Sequence, residues 1–182
     1  TGASGQYLHL MIHKLLSAGE LKKITKGHYS FSDDTVVVGY AFQPYYYGLQ
    51  YALTLHKVWG QAANPVVVTA KKARVGLREY CGNNYLVRRI SPKMLFGSEP
   101  MNVSGKWVNV STPEKMLVDI AHFNEIIPKE TMRSLLKKCD RSKLAGFMKR
   151  APEKTRERCE RMLSGISPKT GKASEKGRPV YI

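Results

Sequence analysis

Apolar residues recur at helical spacing at Leu8, Ile12 and Leu15, flanked by Met11 and Leu16. The spacing predicts a helix over 5–18, with Ser4 as its N-cap and Gly19 at its C-terminal end. Its opposite face carries Gln6, Leu10, His13 and Ser17, with His9 and Lys14 at the sides. Two short strand-like runs follow, 21–24 and 28–31, around the turn residues Thr25-Lys26-Gly27. Residues 33–60 read as two helices. The first is capped by Asp33 or Asp34 and broken at Pro44; the second runs over 46–58 with Leu49, Ala52, Leu53 and Leu55 as its apolar set. Pro65-Val66-Val67-Val68-Thr69 reads as a buried strand.

The most organised stretch is 84–123. Leu86-Val87 and Ile90 form an apolar run around Arg88-Arg89, and Ser104-Gly105 marks the turn of a hairpin whose return strand holds Val108 and Val110. A helix starts after it. Ser111 or Thr112 supplies the N-cap, Pro113 suits the first helical position, and Glu114 meets the positive end of the dipole. Met116, Leu117, Ile120, Ala121 and Phe123 form its apolar stripe, with Lys115, Asp119 and His122 largely off it. Three further helices are expected, over 128–138, 141–150 and 152–163, then a mobile tail rich in Ser, Gly, Lys and Pro. The fold class expected is α+β: an N-terminal helix-and-hairpin unit at 1–33, a mixed α/β domain with a helical C-terminal part at 34–165, and a basic tail at 166–182.

Charge narrows the functional classes. The chain has 182 residues, 30 Lys+Arg against 14 Asp+Glu, and a net charge of +16. Such an excess points to a polyanionic partner, most often nucleic acid. Between residues 65 and 93, Lys71, Lys72, Arg74, Arg78, Arg88, Arg89 and Lys93 face the single acid Glu79. That segment reads either as a phosphate-binding face or as a solvated sheet surface. The three cysteines form no C-x-x-C pair, and no apolar run approaches a membrane span, so a reducing cytoplasm and no membrane partner are expected.

The search for catalytic chemistry is brief. No Walker loop, G-x-S-x-G or H-E-x-x-H occurs. His9 and His13 stand at i, i+4 as in a zinc-protease helix, but Leu10 occupies the place of the catalytic Glu and no third ligand is evident. No metal, cofactor or enzymatic activity is therefore expected. A nuclease using Glu114 and Asp119 is the least favoured alternative, since both lie on one helix. Tyr45-Tyr46-Tyr47 either stack on bases or pack half-buried, and packing is favoured.

The helix and basic hairpin at the N-terminus follow the order of a recognition helix and wing. Gln6, His9, His13 and Lys14 would meet DNA from the helix, and Lys22, Lys23 and Lys26 would reach phosphates. The helices that precede a recognition helix in the full motif are not in this sequence. The order of several short motifs resembles the AbiEi-type antitoxins and transcriptional regulators of type IV toxin–antitoxin operons. They are Leu15-Leu16-Ser17-Ala18-Gly19-Glu20-Leu21 leading to Lys26-Gly27-His28-Tyr29, Tyr51-Ala52-Leu53 ending at Trp59-Gly60, Arg88-Arg89-Ile90, Leu95-Phe96-Gly97, and residues Val108 to Asp119. The resemblance covers about residues 4–140. It implies a winged helix-turn-helix, here partial, followed by a mixed α/β antitoxin domain. It also implies binding to inverted repeats in the protein's own promoter, and neutralisation of a nucleotidyltransferase toxin. The family's basic antitoxin-domain surface would correspond to Lys71–Arg89. The alternative from a different class is a nucleic-acid-binding module without sequence choice, for RNA or DNA.

Overall fold

A computed structural model describes residues 5–166. The expected Ser4 cap and the tail beyond Ile166 lie outside the described residues. The fold is mixed α+β. Helix α1 (Gly5–Ser17) leads into a two-stranded antiparallel hairpin, β1 (Lys22–Thr25) and β2 (His28–Ser30). A 3-10 helix (Thr35–Phe42), strand β3 (Tyr45–Tyr47) and helix α2 (Leu49–Leu55) come next. Strands β4 (Val66–Thr69), β5 (Gly76–Tyr80), β6 (Asn83–Arg89), β7 (Ser98–Val103) and β8 (Lys106–Ser111) precede helix α3 (Pro113–Phe123). Helices α4 (Lys129–Lys137), α5 (Arg141–Arg150) and α6 (Glu153–Ile166) complete the described chain. Six strands make one mixed sheet in the order β5-β6-β4-β3-β8-β7. The β3–β8 and β4–β6 pairs are parallel and the other three antiparallel.

The tyrosine run is the centre of this sheet, and its packing reading was the right one. All three residues are buried. The helix expected over 46–58 is corrected accordingly: it begins only at Leu49, after a strand. Consecutive aromatics favour a pleated surface, and the alternation of a strand sends them to opposite faces. Tyr45 and Tyr47 face the 3-10 helix. The Tyr47 hydroxyl donates to the Val36 carbonyl (2.7 Å) and accepts from the Gly39 N–H (2.9 Å). Tyr46 faces the other way and donates to Asp119 of α3 (2.8 Å). One face of the sheet is thus covered by the 3-10 helix, and the other by α3 with α4–α6 around it. Gly39 is required at the first contact, since a Cβ there would stand 2.1 Å from the Tyr45 ring.

Helix α3 begins as its sequence dictates. Thr112 is the N-cap and accepts from the Lys115 N–H, Pro113 opens the helix, and Asn124 closes it in the left-handed conformation at φ 57°. Its polar face does not match the expectation. Lys115 and Asp119 are completely buried, because the sheet lies against the side of the helix that carries them. They form an ion pair with each other, and the Lys115 ammonium lies 4.9 Å from the Phe96 ring centroid and 5.4 Å from that of Tyr46. Burial raises the Asp119 pKa and lowers that of Lys115, each opposed by the attraction of its partner. Glu114 also does more than meet a dipole. It is buried and accepts the Asp140 N–H (2.9 Å), which fixes the start of α5 against α3.

Candidate nucleic-acid interface

Helix α1 contributes its side chains almost entirely to solvent. Gln6, His9, His13 and Lys14 are exposed, and α1 has no buried residue. Ile12, Leu15 and Leu16 are half-buried at the C-terminal half of the helix. Further toward the N-terminus the same apolar stripe is open, with Leu8 at 54% and Met11 at 44% exposure. The helix ends on Gly19 at φ 71°, where the Glu20 and Leu21 N–H groups turn back to the Leu15 carbonyl.

The hairpin is held to the sheet by three side chains. Tyr85 Oη donates to the Ile24 carbonyl (3.3 Å), and Arg78 Nη1 donates to Thr25 Oγ1 (3.4 Å) while its guanidinium covers the Phe42 ring. Tyr80 Oη donates to the Ser32 carbonyl just after the hairpin (2.6 Å). Burial is the first reason that the Tyr80 phenol is pushed up to about 12. Tyr80 and Tyr85 carry no functional signal in the sequence beyond their place in strands, and sequence reasoning passed over them.

The basic residues of the expected interface divide by what they already touch. Lys23 and Lys26 are exposed at the hairpin, and among the described residues neither ammonium has an acceptor. Lys22 differs. Its ammonium donates to the Gly19 carbonyl at the end of α1 and lies 3.5 Å from Asp33. It serves the joint between helix and hairpin. Lys71 reaches the Ala41 carbonyl (3.1 Å), whereas Lys72 and Arg74 are exposed. Arg78 also donates to the Arg74 carbonyl and is committed to the hairpin.

Arg88 and Arg89 do not act together. Successive strand residues face opposite sides. Arg89 is exposed at the end of β6, while Arg88 turns to the α3 side, donates to Glu125 (2.7 Å) and lies over Phe123. The structure therefore sets the hairpin that carries Lys23 and Lys26 against the β5–β6 end of the sheet. Arg88 lies on the other face of the sheet.

Cys81 is exposed in the β5–β6 turn, 3.8 Å from Asp33, whereas Cys139 is half-buried and Cys159 buried. Burial pushes the Cys139 thiol up to about 12 and the Cys159 thiol to about 11. Among the described residues no three His, Cys, Asp or Glu side chains are grouped so as to hold a metal ion, and His9 and His13 gain no third ligand. No helix of the described residues is long and apolar enough to cross a membrane. Compared with known protein families and with curated proteins, the chain matches none.

Proposed function

We propose that the protein is a DNA-binding transcriptional regulator of the AbiEi type. In this reading it acts as the antitoxin of a type IV toxin–antitoxin pair, binds inverted repeats in its own promoter and counteracts a nucleotidyltransferase toxin in the cytoplasm. The observation that carries the DNA-binding part is the joint between α1 and the hairpin. An exposed helix bearing Gln6, His9 and His13 is fixed by Lys22 beside a hairpin that presents Lys23 and Lys26. A recognition helix and wing would use such a helix for base edges and such a hairpin for phosphates. The open apolar stripe at Leu8 and Met11 supports the same reading, since a helix-turn-helix seats its first helix on such a face. The antitoxin part rests on the order of sequence motifs from Leu15 to Asp119.

The second reading is binding of RNA or DNA without sequence choice. It is favoured by the spread of Lys and Arg beyond the hairpin, on β5–β6 and along α4–α6. Fluorescence anisotropy against the protein's own upstream duplex and a scrambled duplex, each over a salt series, separates the two. A preference for the native duplex that survives physiological salt is expected for the regulator. Equal binding that collapses with salt assigns the function to the basic surface alone. Rescue of growth from the cognate nucleotidyltransferase tests the antitoxin role separately.

A further inference from the structure

The C-terminal end of α3 and one side of α6 border an open cleft of about 540 Å³, with Arg158 half-buried and Arg161 exposed at its rim. Its polar wall holds Arg158, Arg161, Asn124 and Glu125. The two arginines are three residues apart on α6 and so share a face of the helix. Among the described residues neither guanidinium has a hydrogen-bond or ion-pair acceptor, unlike that of Arg88 nearby. The reason is visible in the wall. The carboxylate of Glu125 is already taken by Arg88 (2.7 Å) and by the Gln50 amide (3.0 Å). Two cationic forks therefore line the site, and the one carboxylate in its wall is engaged by Arg88 and Gln50. A second, mainly apolar hollow of about 290 Å³ shares Ile120, Glu125, Arg161 and Met162 with the first and is lined further by Ile126 and Met132.

We propose that this cleft binds a small phosphorylated ligand of the nucleoside monophosphate class. Arg158 and Arg161 take the phosphate, and the apolar ring of the ligand extends over Met162 into the adjoining apolar hollow. Arginine forks match phosphate oxygens in geometry as well as charge. A pocket with one apolar wall and a few convergent polar groups is the usual form of a small-ligand site. The cleft lies on α3 and α6, away from α1 and the hairpin, so the proposal does not rest on the DNA-binding reading.

The structure also supplies an internal reporter. His122 bonds Thr155 of α6 through Nδ1 (2.9 Å). Burial first, then the charges of Lys115 and Arg158, hold its pKa below the ordinary value against the pull of Asp119. An anion seated on Arg158 offsets part of that field and raises the His122 pKa.

The test is calorimetric titration of the full chain with adenosine 5′-monophosphate, inorganic phosphate and adenosine in physiological chloride, with the His122 ring followed by NMR. Saturable binding of the monophosphate is expected, tighter than that of phosphate or adenosine alone, with an upward shift of the His122 titration. Arg158→Gln with Arg161→Gln should weaken it by roughly a hundredfold, about tenfold for each lost charged contact. Lys149→Gln with Lys154→Gln removes the same charge outside the cleft and should leave affinity unchanged. No binding at millimolar monophosphate, equal loss in both double variants, or phosphate binding as tightly as the nucleotide would each overturn the proposal. Helical circular dichroism identifies any variant that fails to fold.

Discussion

Asp119 has its two oxygens divided between Lys115 and the Tyr46 hydroxyl, all three side chains being out of contact with water. Removing one member of such a pair leaves a buried charge without compensation. Asp119→Ala should cost on the order of 3–5 kcal/mol in urea denaturation, as should Lys115→Ala. Lys115→Met combined with Asp119→Leu should recover only part of that loss, since no charge stays unpaired but the buried Tyr46 hydroxyl is left without its acceptor. Strict additivity of the two changes would show that the pair is not coupled. Glu114 gives a pH dependence of known sign. Burial raises its pKa, but the N–H groups of Asp140 and of Glu114 itself, the Thr112 hydroxyl and Lys143 together hold it below the ordinary carboxylate range. A depressed folded pKa means that the unfolded chain takes up the proton first as pH falls. The stability Glu114 contributes is thus full above the ordinary carboxylate pKa and is lost as pH falls through the folded one. Glu114→Gln should flatten that acid limb and lower stability at neutral pH.

At the scale of elements, the helix and hairpin separate lysines that the sequence lists side by side. Lys22→Ala should loosen the joint, with faster amide exchange over Lys22–Ser30. Lys23→Ala with Lys26→Ala should leave exchange unchanged and reduce the dependence of log affinity for DNA on log salt by about 2, near 0.9 per phosphate contact. An unchanged slope would mean that the hairpin does not meet the backbone. These two expectations show where sequence reading succeeds and where it stops. The C-terminal end of α1 at Gly19, the turn at Gly27 and the Thr112-Pro113 start of α3 are set by local chemistry, and local chemistry is written in consecutive residues. The strand at Tyr45–Tyr47 was concealed by the helical spacing of Leu49, Ala52 and Leu53 just after it. Lys115 and Asp119 were placed off the apolar stripe because their cover comes from β3, some seventy residues earlier. Periodicity records one buried side of a helix. It does not record a second side buried by distant chain.

Over the whole molecule, a charge of +16 is distributed, and its parts have different duties. Lys115 is enclosed, Lys22, Arg78 and Arg88 hold elements together, and Lys106 and Lys143 pair with Asp34 and Glu99. Exposed pairs of this kind contribute little to stability. What is left without an internal duty is the remainder, on the hairpin, on the β5–β6 end and on the outer helices. Net charge alone therefore overstates the number of phosphates one ligand can engage. Total affinity for any duplex should fall steeply between low and physiological salt, with a slope smaller than the full basic count would give. A slope that matched the full excess of cations would show that the joints described above open on binding.

The cysteines add a practical consequence. Cys81 sits at the surface of the turn joining two strands, next to the segment that follows the hairpin, while Cys139 is half-buried with its thiol donating to the Leu135 carbonyl and Cys159 is buried. A single addition of maleimide dye to the unmodified protein should thus fall on Cys81. Its emission would then report occupancy of the hairpin in real time, with no engineered residue, and labelling at the other two thiols would time the opening of the helical layer.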